Sequence, residues 1–284
     1  LLIVCSFITN FFVIVRIWDF KENASVVLMI VVYYVSFYLF TFNIMRQMCT
    51  VAILFYGSRF IERGHYIKYL IFVFFACVFH QSALIGVLLI CCDVFLWKYL
   101  SRYQKVSLAV LLFIIAFSVP YLYKMMSKYF HYFRLGPDFE ISYMLFAKVI
   151  IYISCLDDIR NYSVLKMERV SRSQFVLVLK DNNKCYIKRV KQYKIKCLYQ
   201  VQRAGIYYFM GICLTFLSCF PYMDRVGLPF YIFEIAFWGV AAKSAKKKRI
   251  YVLIFSLLLI YIFCISMIKD GQGIFPYGLM WQGV

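Results

Sequence analysis

Acidic residues are what this sequence has least of: 13 Asp and Glu stand against 32 Lys and Arg in 284 residues. Charged residues of both signs make up only 16% of the chain, and hydrophobic residues make up 64%. A soluble domain is nearer a quarter charged and half apolar. So few polar residues cannot cover a globular surface. The shortage excludes an ordinary cytosolic enzyme, a disordered regulator and a secreted disulfide scaffold. The net charge of +19 does not point to a nucleic-acid binder either, because such basic domains are not this apolar.

Other absences narrow the chemistry. The chain has no GxxxxGK[ST] loop, no HExxH helix and no paired Asp-x-Asp of the kind that holds a metal–nucleotide. None of the 11 Cys forms a CxxC pair. Most lie inside apolar runs and read as buried free thiols acting as small hydrophobes. The expected chemistry is free of metal and cofactor. The chain begins at Leu1 inside an apolar run, which reads as a fragment or a processed chain lacking an upstream span.

What the sequence has in abundance is apolar runs. A bilayer core about 30 Å thick needs about 20 apolar residues per helix. Candidate spans fall at 1–15, 26–43, 46–60, 67–80, 83–97, 106–122, 141–155, 205–221, 227–242 and 250–268. The expected fold is all-α, a polytopic transmembrane bundle of about ten spans forming one integral membrane domain over 1–284. Loop charge sets its orientation. With the lysine-rich loop 243–249 in the cytoplasm, alternation puts 25 of the 32 Lys and Arg inside and six outside, with Lys148 in mid-span. The inside loops include 156–204, the longest polar stretch. It reads as a basic cytoplasmic loop lying on anionic lipid headgroups, with a hairpin in which 174–180 and 184–201 alternate around Asp181-Asn182-Asn183.

Ionisable groups at membrane depth are functional candidates, and those singled out here fall on the outer side. Asn43, Arg46, Gln47 and Thr50 have the i, i+3, i+4, i+7 spacing of one helix face. A buried Arg at the start of that helix would line an outward cavity, and its fork of donors suits a diphosphate or carboxylate. An Arg snorkelling to headgroups fits the same position. His80-Gln81-Ser82 sits at the same edge. It suits either a proton acceptor or a hydrogen-bonded structural histidine. Asp224-Arg225 falls in an outer turn. The outer loop 123–140 brings Tyr132 and Arg134 among other tyrosines and cations, which suits sugars and phosphates as well as an interfacial aromatic belt. Glu234 and Lys148 are isolated charges inside spans, each expected to find a partner in the bundle.

The stretch Phe42-Asn43-Ile44-Met45-Arg46-Gln47, then Gly57 and Arg59-Phe60-Ile61-Glu62, then Phe79-His80-Gln81-Ser82-Ala83-Leu84-Ile85, resembles the EpsG family of Wzy-like exopolysaccharide and O-antigen polymerases. Looser pieces follow at Lys128-Tyr129-Phe130, Asp224-Arg225 and Pro276-Tyr277. The basic loop 156–204 is longer than the family pattern leads one to expect.

The resemblance implies an architecture like that of the GT-C-type polysaccharide polymerases and ligases, in a bacterial cytoplasmic membrane. It implies a metal-independent glycosyltransferase that joins repeat units carried on undecaprenyl diphosphate at the outer face. Arg46 and Arg225 would then stabilise the diphosphate leaving group. His80 would accept or orient the proton of the attacking hydroxyl. Asn43, Gln47 and Ser82 would hydrogen-bond substrate, and Tyr132, Arg134 and Tyr277 would hold sugar. The implied partners are the lipid-linked oligosaccharide, membrane lipid, and a chain-length regulator and flippase of the same pathway, with no nucleic acid. A lipid-linked sugar transporter, a membrane acyltransferase and a partner subunit of an assembly complex are the competing readings.

Overall fold

The structure is a computed structural model. It describes residues 2–38, 40–94, 148–152, 163–169, 174–181, 184–216, 223–244, 252–257, 259–261 and 264. The candidate span 106–122 lies outside the described residues.

Apolar runs become helices because helix closes every backbone hydrogen bond within the segment. Helix α1 covers Leu2–Asp19, and α2 covers Val26–Tyr33 before continuing as a π-helical turn at Tyr34–Tyr38. A short α3, Phe40–Asn43, follows. The chain then breaks at Ile44 (φ −114°, ψ 48°), and α4 runs over Met45–Glu62. Gly64, at φ 76°, makes the reversal into α5, Tyr66–Cys77. A 3₁₀ segment, Gln81–Gly86, leads into α6, Val87–Cys91.

The longer helices of the first half alternate in direction. Helices α1 and α4 run parallel, because Thr9 Oγ1 meets Cys49 Sγ (3.4 Å), Phe12 packs on Tyr56 and Arg16 pairs with Glu62. The connecting α2 must therefore return between them. Helix α5 is antiparallel to α4. Thr50 Oγ1 donates to the Ala76 carbonyl (3.2 Å), and Phe60 stacks on Phe72. Gly57 permits that approach: a Cβ there would stand 3.0 Å from Phe72 Cβ.

The later helices form an antiparallel hairpin. Helix α7 covers Gln192–Phe216, α8 covers Met223–Tyr231 and α9 covers Phe233–Ser244. With Pro229 near the junction, α8 and α9 make one kinked rod. The rod docks on the first half of the bundle: the Ser25 N–H donates to the Gly239 carbonyl (2.9 Å) and Phe233 meets Phe55. The segment 148–152 lies beside it, with Tyr152 against Phe237.

The bundle is helical as expected. Within the basic loop, the expected hairpin forms and gains a third strand. Strands β1 (Ser163–Arg169), β2 (Gln174–Asp181) and β3 (Lys184–Lys191) pair antiparallel in that order. Asp181 pairs with Lys184 at the end of the β2–β3 ladder. Alternation expected up to residue 201 stops at Lys191, because Gln192 already begins α7.

The core is centred on α4, where every residue from Gln47 to Phe55 is buried. Other helices expose apolar rows. On α1, Ile3, Phe7, Phe11, Ile14 and Trp18 are exposed, and on α5 Ile67, Ile71, Phe74 and Phe75 are, followed by Val78 just beyond it. Rows of that size are unfavourable in water and suited to hydrocarbon. By length and composition one helix among the described residues can cross a bilayer, Val226–Lys243. The shorter apolar helices include Val26–Tyr38, Tyr66–Cys77 and Gln81–Val94. Cys5, Cys92 and Cys213 are buried free thiols, as their apolar settings predict, and so is Cys49; Cys77 is only half-buried and Cys91 and Cys264 are exposed, because an apolar run does not fix which helix face turns inward.

Candidate functional site

The alternation of directions gives the bundle two ends. One collects the start of α4, the end of α5 and the 3₁₀ segment, and here Arg46 reaches the backbone that leads into His80. Arg46 Nε donates to the carbonyl of Phe79 at 3.0 Å. That bond fixes the root of the guanidinium one residue from His80. Arg46 is exposed, where the sequence suggests a buried group. Among the described residues no carboxylate pairs with it.

His80 is partly buried and acts as the N-cap of the 3₁₀ segment. Its Nδ1 accepts the Ser82 backbone N–H at 3.1 Å, and Ser82 Oγ lies 2.7 Å from the same nitrogen. The cap satisfies one of the donors that a helix start leaves orphaned. His80 and Ser82 are thus brought together with Arg46.

The other expected site residues divide. Gln47 is buried on α4, as is Thr50, whose Oγ1 also approaches the Arg46 carbonyl at 3.3 Å. Asn43 is not on that helix. The break at Ile44 puts it on α3, so the four-residue face reduces to Arg46, Gln47 and Thr50. Val51, Ile53, Leu54 and Phe55 of the opposite face are buried, as is Gln47. Asp224 and Arg225 lie in the first turn of α8 rather than in a loop, and α8 packs against α4 and the 3₁₀ segment. The side chains of Asn43 and Arg225, together with Tyr132, Arg134 and Tyr277 altogether, lie outside the described residues.

Buried charge is not confined to that end. At mid-depth Lys148 Nζ sits 2.8 Å from Glu234 Oε1, 3.1 Å from Oε2 and 2.6 Å from the Tyr231 hydroxyl. The Tyr208 hydroxyl donates to Glu234 Oε1 at 3.2 Å. The two isolated charges of the sequence are each other's partner.

The opposite end carries two networks. Arg16, buried under the end of α1, pairs with Glu62 and with Asp19 (3.4 Å), and its guanidinium lies over the Phe20 ring. Arg59 reaches Asp19 at 3.6 Å and stacks over Tyr56. Asp93 meets Arg203 Nε at 2.8 Å and accepts from Tyr66 and Tyr207. Two of the family-like positions, Arg59 and Glu62, thereby act as ties between α1 and α4. Arg16, Asp93 and Arg203 belong to no motif in the sequence. Their only signal is position: Arg16 and Arg203 flank apolar runs, and Asp93 is an acid inside one.

No curated protein and no solved structure matches the chain. The family comparison does give a match: the model of the EpsG family covers residues 1–279, essentially the whole chain, and the chain belongs to the EpsG family.

Proposed function

We propose that this chain is a polysaccharide polymerase acting on lipid-linked repeat units at the outer face of a bacterial cytoplasmic membrane. Membership of the EpsG family supports an exopolysaccharide-related, polymerase-like role and a membrane location. The observation that carries the finer reading is the bond from Arg46 to the Phe79 carbonyl, next in sequence to His80, with Arg46 exposed and no described carboxylate paired with it. The buried charges described elsewhere are neutralised by partners, whereas this guanidinium keeps its charge for a ligand.

The full bundle has about ten spans in this reading, with 156–204 and 243–249 in the cytoplasm. Arg46, joined by Arg225 from the first turn of α8, neutralises the undecaprenyl diphosphate of the donor. In the transfer, the bond between the anomeric carbon and the phosphate oxygen breaks and its electron pair stays on the diphosphate. The acceptor hydroxyl oxygen forms the new glycosidic bond and releases its proton to water. Asn43, Gln47 and Ser82 hydrogen-bond substrate, and Tyr132, Arg134 and Tyr277 hold sugar. The Lys148–Glu234 pair is the one observation favouring a lipid-linked oligosaccharide transporter, since it sets polar groups at mid-depth.

Substituting Arg46→Ala or His80→Ala is expected to abolish polymer while the protein still accumulates in the membrane. Single repeat units on undecaprenyl diphosphate should then build up outside. Normal polymer length from both variants would sink the polymerase site, and repeat units trapped inside would favour the transporter.

A further inference from the structure

Resting on that reading, we infer that His80 serves the site as a fixed hydrogen-bond donor through Nε2–H, directed to a phosphoryl oxygen of the lipid diphosphate, rather than as a base at Nε2. The argument starts from a donor whose direction the chain dictates. A backbone N–H can only donate, and that of Ser82 points at His80 Nδ1 from 3.1 Å. Nδ1 must therefore present its lone pair. A neutral imidazole carries one proton, so it resides on Nε2. Which tautomer a histidine adopts is set by the hydrogen bonds its nitrogens make. Here the 3₁₀ segment makes the choice, because the alternative would set an N–H against an N–H. Ser82 Oγ at 2.7 Å can turn its hydroxyl proton to the same lone pair, which helps hold the ring and leaves the oxygen free to accept from substrate.

The consequence is chemical. With Nδ1 committed to the cap, Nε2 offers a proton and no lone pair. Next to an arginine, a neutral donor suits an anion rich in oxygen: two N–H groups of different kinds can share the phosphoryl oxygens as charge collects on the leaving group. No proton changes hands at Nε2. The hydrogen bond strengthens as the anomeric bond to phosphate oxygen breaks.

Two measurements test this, and they separate it from the polymerase reading. Full-length protein labelled with ¹⁵N-histidine in lipid nanodiscs is expected to show His80, assigned by the loss of its signal in H80Q, with a protonated Nε2 and an unprotonated Nδ1. Addition of undecaprenyl diphosphate should shift the Nε2 resonance and leave Nδ1 nearly unmoved. An Nδ1–H tautomer or an imidazolium would overturn the inference whatever the polymer assay says, and so would an Nε2 signal indifferent to the lipid. In cells, His80→Gln places an amide N–H where Nε2–H stood and is expected to retain polymer within about tenfold of wild type. His80→Asn and His80→Ala should lose about 10²-fold or more, the usual effect of deleting one such donor. Equal loss in Gln and Ala variants would refute the donor role. Failure of Arg46→Ala to reduce polymer would instead refute the site reading and leave the tautomer standing.

Discussion

Glu234→Gln is the most discriminating perturbation of the bundle itself. The substitution keeps shape and a hydrogen-bond acceptor for Tyr208 but removes the charge facing Lys148. At the 2.8 Å separation of the pair, with an effective dielectric of about 20, the gross attraction is about 6 kcal/mol. Glu234 is fully buried and Lys148 is 5% exposed, so solvent replaces almost none of it. Removing both ions from water offsets several kcal/mol for each. The pair as a whole is therefore worth little net, while one half alone is strongly unfavourable. Glu234→Gln and Lys148→Met should each destabilise by about 3–5 kcal/mol, and the double variant by far less than their sum. A double-mutant cycle measured by SDS-induced unfolding of protein in mixed micelles reads the coupling. A coupling below about 0.5 kcal/mol would refute the reasoning, since it would mean the two charges act independently.

Gly211 presents a different constraint: a Cβ there would stand 2.5 Å from the Tyr231 backbone nitrogen, so Gly211→Ala must part α7 from α8 and should destabilise by about 1–3 kcal/mol. Thermal retention of the detergent-solubilised fold checks this, and an unchanged midpoint would contradict the close approach. Arg16→Met leaves Glu62 and Asp19 without their shared cation and should lower stability by about 1.5–3 kcal/mol, read as reduced membrane accumulation with unaltered polymer length per molecule. Arg46→Lys keeps charge but loses the fork and the Nε donor to Phe79, and is expected to leave polymer strongly reduced in a cell-surface polysaccharide assay. Topology is checked by reporter fusions. A fusion at residue 204 should report the cytoplasm and one at residue 136 the outside, and the reverse pattern would invert the proposed orientation.

Much of the site is legible in the sequence. Arg46, Gln47, His80 and Ser82 stand out because polar groups are rare inside apolar runs, and the Arg46–Phe79 bond places the first beside the third. Asn43 departs from its expected place for a physical reason. Helical spacing assumes an unbroken helix, and the break at Ile44 occurs without proline or glycine to announce it. The exposure of Arg46 escapes the sequence as well, because hydropathy reports what surrounds a residue along the chain and not in space. The partner of Lys148 is out of reach altogether, since Glu234 lies 86 positions away.

The amino-acid sequence alone determined that the chain is apolar, helical and asymmetric in its charge, because those properties are sums over composition and over local periodicity. It also carried the pairing of β2 with β3, since alternation is a local signal. Tertiary structure decided which charges neutralise one another and which remain available. Lys148 with Glu234, Arg16 with Glu62 and Arg203 with Asp93 are matched across helices distant in sequence. Such pairing depends on which faces the packed helices turn toward each other, and hydrophobic packing sets those faces without leaving a trace at the charged positions themselves. What only the fold could add to His80 was its proton: the turn that caps Nδ1 decides which nitrogen is left to face a ligand.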